Sequence, residues 1–281
     1  MARCRTLRAG ERVLEFSRTR IMGILNVTPD SFFDGGRLKG VDGAVEAAAA
    51  MVAAGVDVLD VGGESTRPGA DPVSAQEELD RVLPVVQALA SRFDVPISVD
   101  TYRFDTAREA VDAGAVIIND VSAGRQDQRM FSLAAKTGAA LVLMHALWPP
   151  KTMQDAPEYV DVVEDVAAFL SQTASLARAF GVPEDRIMLD PGIGFGKTLA
   201  HNLELLRSIQ FLIGCGYPVL VGPSRKRFLG DLTGKPVEDR LLATAAVTAL
   251  LAAQGVHMVR VHDVAAMKDV ARVADALAWD I

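Results

Sequence analysis

Polar residues recur where hydrophobic runs of the sequence end, and their types suit the binding of a flat heterocycle. They are Asn26, Asp60, Glu64, Asp100, Asn119, Asp120, His145, Asp190, Ser224, Arg260 and His262. An ionised carboxylate accepts hydrogen bonds, whereas an amide side chain both donates and accepts them. Asp100, Asn119 and Asp190 together could therefore hold a nitrogen-rich ring that presents several donors, such as a bicyclic pterin or purine.

The last third of the chain supplies cations that could hold an anionic group. Arg225, Lys226, Arg260 and His262 could bind a diphosphate or a carboxylate, with arginine using paired hydrogen bonds and lysine acting as a point charge. Asn26 could give one oxygen ligand to Mg²⁺, which favours oxygen and usually reaches a protein through few side chains and substrate phosphates. The pattern indicates an anion site, with a solvated basic loop at residues 224–227 as the alternative.

These residues also have plainer interpretations. Asp and Asn often begin a helix as N-caps, which would explain any one of them but not the whole set. A phosphate-binding loop at residues 192–198 is excluded because Pro191 stands where that motif requires glycine. Residues 222–226 lack the closing glycine of a nucleophile elbow, so Ser224 is a poor candidate for a nucleophile. The spacing of the four histidines does not suit a zinc site.

Short apolar runs alternate with longer amphipathic stretches, which is the pattern of successive βα units around a parallel sheet. The predicted strands are 21–26, 56–62, 97–100, 116–120, 140–145, 187–190, 219–222 and 258–262. The predicted helices are 41–54, 74–91, 104–113, 159–180, 199–212, 239–254 and 264–279. Glycines that favour a left-handed backbone are predicted to end helices at Gly55, Gly114, Gly138, Gly181 and Gly255.

Eight such units in roughly 250 residues is the usual size of a (β/α)8 barrel, the TIM-barrel fold, which we predict over an open doubly wound sheet. Because no linker or shift in composition divides the chain, residues 1–281 are predicted to form a single domain. Residues 1–20 are predicted to form a short hairpin that closes the bottom of the barrel. The carboxyl ends of the strands share one rim in such a fold, so the polar residues are expected to meet there.

Composition argues against several classes of function. The 29 Lys and Arg residues and 36 Asp and Glu residues give a net charge of −7, which disfavours general attraction to nucleic acid or to an anionic membrane. Cys4 and Cys215 are the only cysteines, which fits a reducing compartment. The apolar runs fall far below the roughly 18 residues that span a bilayer, and the sequence begins without the apolar run of a signal peptide. We therefore predict a cytoplasmic protein.

Several segments, taken together, closely resemble the dihydropteroate synthase family. The matching segments are 22–32 (MGILNVTPDSF), 34–36 (DGG), 60–70 (DVGGESTRPGA), 98–101 (SVDT), 118–121 (INDV), 143–145 (LMH), 190–197 (DPGIGFGK), 224–226 (SRK) and 260–263 (RVHD). The resemblance implies a (β/α)8 barrel that joins 6-hydroxymethyl-7,8-dihydropterin diphosphate to 4-aminobenzoate. The products would be 7,8-dihydropteroate and diphosphate, in folate synthesis.

The resemblance also implies roles for individual residues. The pterin diphosphate would be bound by Asn26, Thr66, Asp100, Asn119, Asp190, Lys226, Arg260 and His262. Among these, Asn26 would touch Mg²⁺, and Asp100, Lys226, Arg260 and His262 would carry the catalysis. The 4-aminobenzoate site would be formed by Phe32, Asp34, Thr66, Arg67, Pro68, Phe195 and Ser224. Sulfonamides, which resemble 4-aminobenzoate, are expected to compete for it.

The chain departs from the family pattern at Phe33, where a small polar residue is expected, and at residues 146–150, which replace a more polar stretch. These changes put the response to sulfonamides in doubt.

The resemblance also implies a homodimer, for which the apolar helix faces at 241–251 and 270–277 are candidates. Two rival functions are a pterin-binding methyltransferase, which would need no diphosphate site, and a paralogue that binds pterin without turnover.

Overall fold

The computed structural model describes residues 6–27, 40–64, 73–147, 153–154 and 156–278, together with the backbone of 33–34 and 37–38. The strands in chain order are β1 (Thr6–Ala9), β2 (Arg12–Glu15), β3 (Arg20–Asn26), β4 (Phe33–Asp34), β5 (Arg37–Leu38), β6 (Val58–Gly62), β7 (Ile97–Asp100), β8 (Ile117–Asp120), β9 (Ala140–Met144), β10 (Ile187–Asp190), β11 (Leu220–Val221) and β12 (Met258–Val261). The helices are α1 (Gly40–Ala53), α2 (Ala75–Arg92), α3 (Phe104–Asp112), α4 (Arg129–Thr137), α5 (Val162–Ala179), α6 (Leu199–Arg207), α7 (Ile209–Gly214), α8 (Arg227–Thr233), α9 (Leu241–Ala253) and α10 (Val264–Ala278).

Eight parallel strands form the barrel, in the order β10-β9-β8-β7-β6-β3-β12-β11. A further parallel bridge between Leu189 and Val219 joins the two ends of this sheet, so the ring closes. The strands are buried along nearly their whole length because helices cover the outside and side chains fill the inside. The predicted (β/α)8 barrel is therefore confirmed.

The hairpin of β1 and β2 closes the amino end of the barrel, as predicted. Leu7 and Phe16 are fully buried against residues from the first halves of the barrel strands, among them Met22, Met188 and Met258. The backbone amide of Gly10, in the turn, donates to a carbonyl oxygen in the loop before β9 at 2.9 Å. The apolar side of the hairpin thus fills space that the barrel would otherwise leave open to water.

Helix ends follow the signals in the sequence more closely than helix lengths do. All five glycines predicted to end helices have positive φ, between 74° and 117°. Ser74 caps α2 by accepting from the Glu77 amide, and Thr198 caps α6 in the same way. The predicted helix 199–212 is divided at Ser208 into α6 and α7. The end of α4 at Gly138 was predicted, but the start of α4 and the whole of the short helix α8 were not, since seven to nine residues give a weak periodic signal.

Across the described ranges, none of the helices combines the length and the apolar character needed to cross a membrane.

One carboxylate at the amino end of the barrel is shared by three cations. Asp57 accepts hydrogen bonds from Arg18 (3.1 Å), Arg20 (2.9 Å) and Lys268 (2.8 Å), and from the backbone amide of Ile21 (2.9 Å). Burial alone would raise the pKa of Asp57, but Arg18, Lys268 and the Ile21 amide outweigh it and lower the pKa to about 2. The cluster joins α10 and the start of β3 to the residue that directly precedes β6.

We expect Asp57→Asn to lower the free energy of unfolding by about 2 kcal/mol at pH 7, because the ionised carboxylate is better stabilised in the folded chain. The pKa is about 2 in the folded state and near 3.8 unfolded. The contribution is therefore present above about pH 4 and disappears as the pH falls toward 2. Urea unfolding at pH 7 and pH 3 measures it. Asp94→Asn is the control, since Asp94 pairs with Arg12 but its side chain is 92% exposed. An equal loss in both variants would contradict this account.

Candidate active site

The carboxyl rim of the barrel surrounds a cavity of about 900 Å³. The predicted site residues that line it are Asn26, Asp100, Asn119, Asp190, Phe195, Ser224, Lys226, Arg260 and His262. They come from β3, β7, β8, β10, β12 and the loops that follow β10, β11 and β12. The barrel geometry therefore brings together residues that are up to 236 positions apart in the sequence, from 26 to 262.

The centre of the site is an arginine held between two carboxylates. Arg260 Nε donates to Asp60 Oδ2 at 2.6 Å, and its Nη2 donates to Asp100 Oδ2 at 2.6 Å. Asn119 Nδ2 donates to the same Asp60 oxygen at 3.2 Å. Four strand ends, those of β12, β6, β7 and β8, are joined by these contacts. The sequence marks Asp60 as a polar residue near a strand end but does not indicate this role for it.

Burial makes this network chemically unusual. Asp60 is completely buried and Asp100 is 8% exposed. Burial raises the pKa of Asp100, as do Asp60 and Glu78, and the neighbouring Arg260 opposes the rise. Burial disfavours the charge of Arg260, but the two carboxylates outweigh it and raise the pKa of Arg260 further above its usual range. Within the described residues, Oδ1 of Asp60 and Oδ1 of Asp100 are buried acceptors with no donor. A ligand that brings hydrogen-bond donors would satisfy such groups.

A second part of the site lies at the ends of β10 and β11. Asp190 Oδ1 accepts from the Gly192 amide at 2.7 Å, and burial raises the pKa of Asp190. Lys226 Nζ lies 3.8 Å from the centre of the Phe195 ring, close enough for a cation–π interaction. An aromatic wall, a lysine and a carboxylate thus line the same side of the cavity.

The loop after β11 is held in a strained conformation that presents Ser224 and Lys226. Arg225 has φ of 56°, which is rare for a residue with a side chain. Its guanidinium pairs with Asp263 at 2.6 Å and its amide donates to Thr244 Oγ1 at 3.1 Å. Ser224 Oγ lies 2.9 Å from His262 Nδ1, which links this loop to the end of β12. Arg225 therefore positions its neighbours.

Two other strand-end polar residues serve the fold. Asp120 accepts hydrogen bonds from the amides of Ser122 and Gly124 at 2.8 and 2.7 Å, so it caps a turn and not the N-terminus of a helix. The His145 ring packs edge-to-face against Phe169, and burial together with Lys197 lowers the pKa of His145 to about 2. His145 is therefore neutral near pH 7.

Comparison with known proteins identifies the family to which this site belongs. The family model described as "Pterin binding enzyme" matches residues 22–262. A dihydropteroate synthase from Synechocystis sp. (strain ATCC 27184 / PCC 6803 / Kazusa) is 46% identical over 261 residues, which is 92% of this chain and 90% of that protein. The chain belongs to the dihydropteroate synthase family. It is thus a pterin-binding transferase of folate synthesis, as the sequence predicted.

Two solved structures of dihydropteroate synthases have the same fold as this chain. The Yersinia pestis enzyme with a sulfonamide drug superposes with a TM-score of 0.92 at 44% identity, covering 97% of this chain and 98% of that one. The Xanthomonas albilineans enzyme with 4-aminobenzoic acid gives a TM-score of 0.92 at 43% identity, covering 99% of this chain and 100% of that one. The resemblance to dihydropteroate synthase seen in the sequence therefore extends to the whole fold.

Some of the residues that the family pattern singles out lie beyond the described structure. Phe32, Thr66, Arg67 and Pro68 are outside the described residues, as are residues 148–150. For Asp34 and Phe33 the structure gives the backbone, which forms β4 and pairs with β5. Their assignments stay predictions.

Removing the central arginine of this dihydropteroate synthase family member leaves two buried carboxylates unpaired. We expect Arg260→Met to lower the free energy of unfolding by about 3–5 kcal/mol at pH 8. The loss is expected to shrink at pH 5.5, because the Asp100 carboxyl, whose pKa burial already raises, can then take up a proton and become neutral. Urea unfolding of the variant and of the wild type at the two pH values measures this. Arg227→Met, at a guanidinium 89% exposed on the rim, is the control. A loss that does not change with pH would contradict the assigned charges.

Proposed function

We propose that the protein joins 6-hydroxymethyl-7,8-dihydropterin diphosphate to 4-aminobenzoate, and that diphosphate leaves before the amine attacks. One observation carries this proposal: Arg260 and Asp100, which belong to the network with Asp60, line the same cavity as the Lys226–Phe195 pair. The network offers buried acceptors for a heterocycle, and the cations beside it suit an anionic leaving group.

The pterin ring would take the inner part of the cavity. Asp100 Oδ1 has no donor among the described residues and could accept from a ring N–H or amino group. Asn119 and Asp190 extend the row of polar groups along neighbouring strand ends. Lys226, above the Phe195 ring, could donate to a ring oxygen or nitrogen. The number of donors and acceptors on this wall matches a pterin better than a simple aromatic ring.

The diphosphate would lie beside Asn26, Arg260 and His262. Arg260 uses Nε and Nη2 for the two carboxylates, and Nη1 is its nitrogen without a hydrogen-bond partner in the described part of the chain. His262 Nδ1 faces Ser224 Oγ, so the imidazole is oriented before substrate arrives. These residues would bind the phosphate oxygens and so fix the position of the scissile C–O bond beside the pterin-binding residues.

Mg²⁺ fits the donor set at this position. Groups of three or more His, Cys, Asp or Glu side chains able to hold a metal are not found among the described residues. Asn26, which lines the cavity from the end of β3, offers an amide oxygen, and Mg²⁺ commonly takes one or two protein oxygens and completes its shell with phosphates and water. When bound, the ion would neutralise charge on the diphosphate.

The chain's own residues would then favour cleavage of the C–O bond. The diphosphate departs with the bonding electron pair, and the exocyclic methylene of the dihydropterin becomes cationic. Asp100, whose charged form is favoured by Arg260 at 2.6 Å, would stabilise that cation, and a preorganised charge of this kind is often the largest catalytic contribution. The aniline nitrogen forms the new C–N bond and loses a proton. A covalent intermediate with the protein is not required.

The second substrate would bind on the outer side of the pterin. Phe195 and Ser224 line that part of the cavity. The Xanthomonas albilineans structure contains 4-aminobenzoic acid and the Yersinia pestis structure contains a sulfonamide drug, which supports competition between the two ligand types at this site. The predicted contributions of Phe32, Asp34, Thr66, Arg67 and Pro68 complete this part of the proposal.

Diphosphate release tests the function directly. Purified protein is given the dihydropterin diphosphate, Mg²⁺ and 4-aminobenzoate, each is omitted in turn, and dihydropteroate is identified by mass. We expect product only when all three are present, and less of it when sulfamethoxazole is added. Pterin binding without product would favour the non-catalytic paralogue, and methyl transfer from methyltetrahydrofolate would favour the methyltransferase.

Asp100→Asn tests the role of the central carboxylate. We expect kcat to fall by about two to three orders of magnitude, because the cationic pterin loses its neighbouring negative charge. The affinity for inorganic diphosphate, measured by calorimetry in the presence of Mg²⁺, should change little. Asp105→Asn is the control, since that side chain is 65% exposed on α3. An unchanged kcat in Asp100→Asn would remove this residue from the mechanism.

We also propose a cytoplasmic homodimer formed through α9 and α10. Leu242 and Leu277 are 82% and 84% exposed, and Leu250 and Val273 are exposed beside them on the same helix pair. An apolar face of this kind is typical of a surface covered by a second copy in a two-fold dimer. Light scattering of the wild type and of Leu242→Glu tests it, and a monomeric wild type would contradict it.

A further inference from the structure

Lys197 is a buried amine whose hydrogen-bond partners carry no charge. It is 3% exposed, and its Nζ lies 3.0 Å from His145 Nδ1, 3.3 Å from the His145 carbonyl oxygen and 3.1 Å from the Phe195 carbonyl oxygen. Burial of an amine away from water is costly, and here it lowers the pKa of Lys197 to about 7. Lys226 and Arg125 lower that pKa further, whereas Asp190 opposes the change. The hydrogen bonds that Lys197 makes in this buried position hold the backbone of a loop at the rim.

The loop between β10 and α6 is fixed through its carbonyl oxygens. Two of them are held from outside the loop, by Gln154 Nε2 on Gly194 (2.6 Å) and by Tyr159 Oη on Gly196 (2.7 Å). The carbonyl between them belongs to Phe195, and Lys197 Nζ is its donor. Because Lys197 also contacts the His145 carbonyl, it ties the loop to the chain just after β9.

This tie determines where the Phe195 ring lies. The ring packs against Val121, Met144 and Ala146, and the ammonium of Lys226 lies over it at 3.8 Å. A rotation of the Phe195 backbone would move the ring away from both sets of contacts. The side chain of Lys197 therefore fixes the position of the Phe195 ring, which forms one wall of the cavity.

We propose that Lys197 is a positioning residue for the aromatic amine substrate, acting through Phe195. This inference rests on the proposed function, because it assigns the Phe195 wall to a benzoate bearing an amino group. Loss of the Lys197 contacts would loosen that wall while leaving the Arg260–Asp60–Asp100 network unchanged. The affinity for the arylamine should therefore fall, and the binding of the pterin should not.

Lys197→Met tests this, because methionine has nearly the length of lysine and lacks the donors. We expect the KM for 4-aminobenzoate to rise about tenfold, with kcat within about threefold of the wild type, since uniform binding is lost. The Kd for the dihydropterin diphosphate, measured by calorimetry, should stay within about twofold. Lys136→Met, at an exposed lysine in α4, is the matched control. Lys197→Gln keeps a polar group in the same place and should show a smaller rise in KM, which provides a second variant if Lys197→Met does not fold.

A double-mutant cycle with Phe195→Ala separates positioning from general support of the fold. If Lys197 acts through the Phe195 ring, the KM of Lys197→Met/Phe195→Ala should stay within about twofold of the KM of Phe195→Ala alone. Fully additive losses would overturn the inference, as would equal losses for pterin and arylamine or an unchanged KM in Lys197→Met.

If the proposed function is wrong, the experiments give a result that differs from failure of the Lys197 inference. In that case the wild type forms no dihydropteroate from the complete mixture. The inference is then decided by calorimetry of 4-aminobenzoate with the wild type and the same variants, in the presence of the pterin and inorganic diphosphate. Tenfold weaker binding to Lys197→Met supports it, and absent binding to the wild type overturns it.

Discussion

The site depends on one buried arginine that two carboxylates share. Arg260 links the ends of β12, β6 and β7 through two contacts of 2.6 Å, and Asn119 adds β8 to the same network. Removing so many charges from water is expensive, and only close opposite charges with good geometry compensate for it. The network has two carboxylates for one guanidinium, and a ligand with several hydrogen-bond donors can bind to the acceptors that remain. The binding surface for a heterocycle is therefore a result of how the barrel buries its own charges.

The rest of the rim is built to keep this centre and its neighbours in place. On one side, the strained backbone of Arg225 is held by Asp263 and Thr244, which fixes Ser224 and Lys226. On the other, Lys197 holds the Phe195 carbonyl. Both supports use side chains to hold the backbone of loops that carry binding residues. Such preorganisation is what an electrostatic mechanism requires, because groups that must reorient on demand stabilise a developing charge poorly.

Much of this could be predicted from the sequence. The eight strands appear as short apolar runs, because a strand buried on both faces must be apolar along its length. Helix ends were found where glycine was the residue with the least steric cost, as at Gly138 and Gly255. Asp100, Asn119 and Asp190 were recognised because a polar residue at the end of a buried strand faces the rim. The division of residues 199–212 into two helices could not be read in this way, since it depends on packing rather than on periodicity.

The sequence by itself determined the barrel, the rim residues and the family, because hydrophobic periodicity and motif residues are local properties of the chain. The tertiary structure decided which partners those residues have. Asp60 and Arg260 are 200 positions apart, and Lys197 and His145 are separated by 52. The pKa of Lys197 follows from burial and from neighbours that folding brings together, and so does the lack of a donor to one oxygen each of Asp60 and Asp100 among the described residues. Burial and distance are properties of the folded molecule, so no local pattern in the sequence could reveal them.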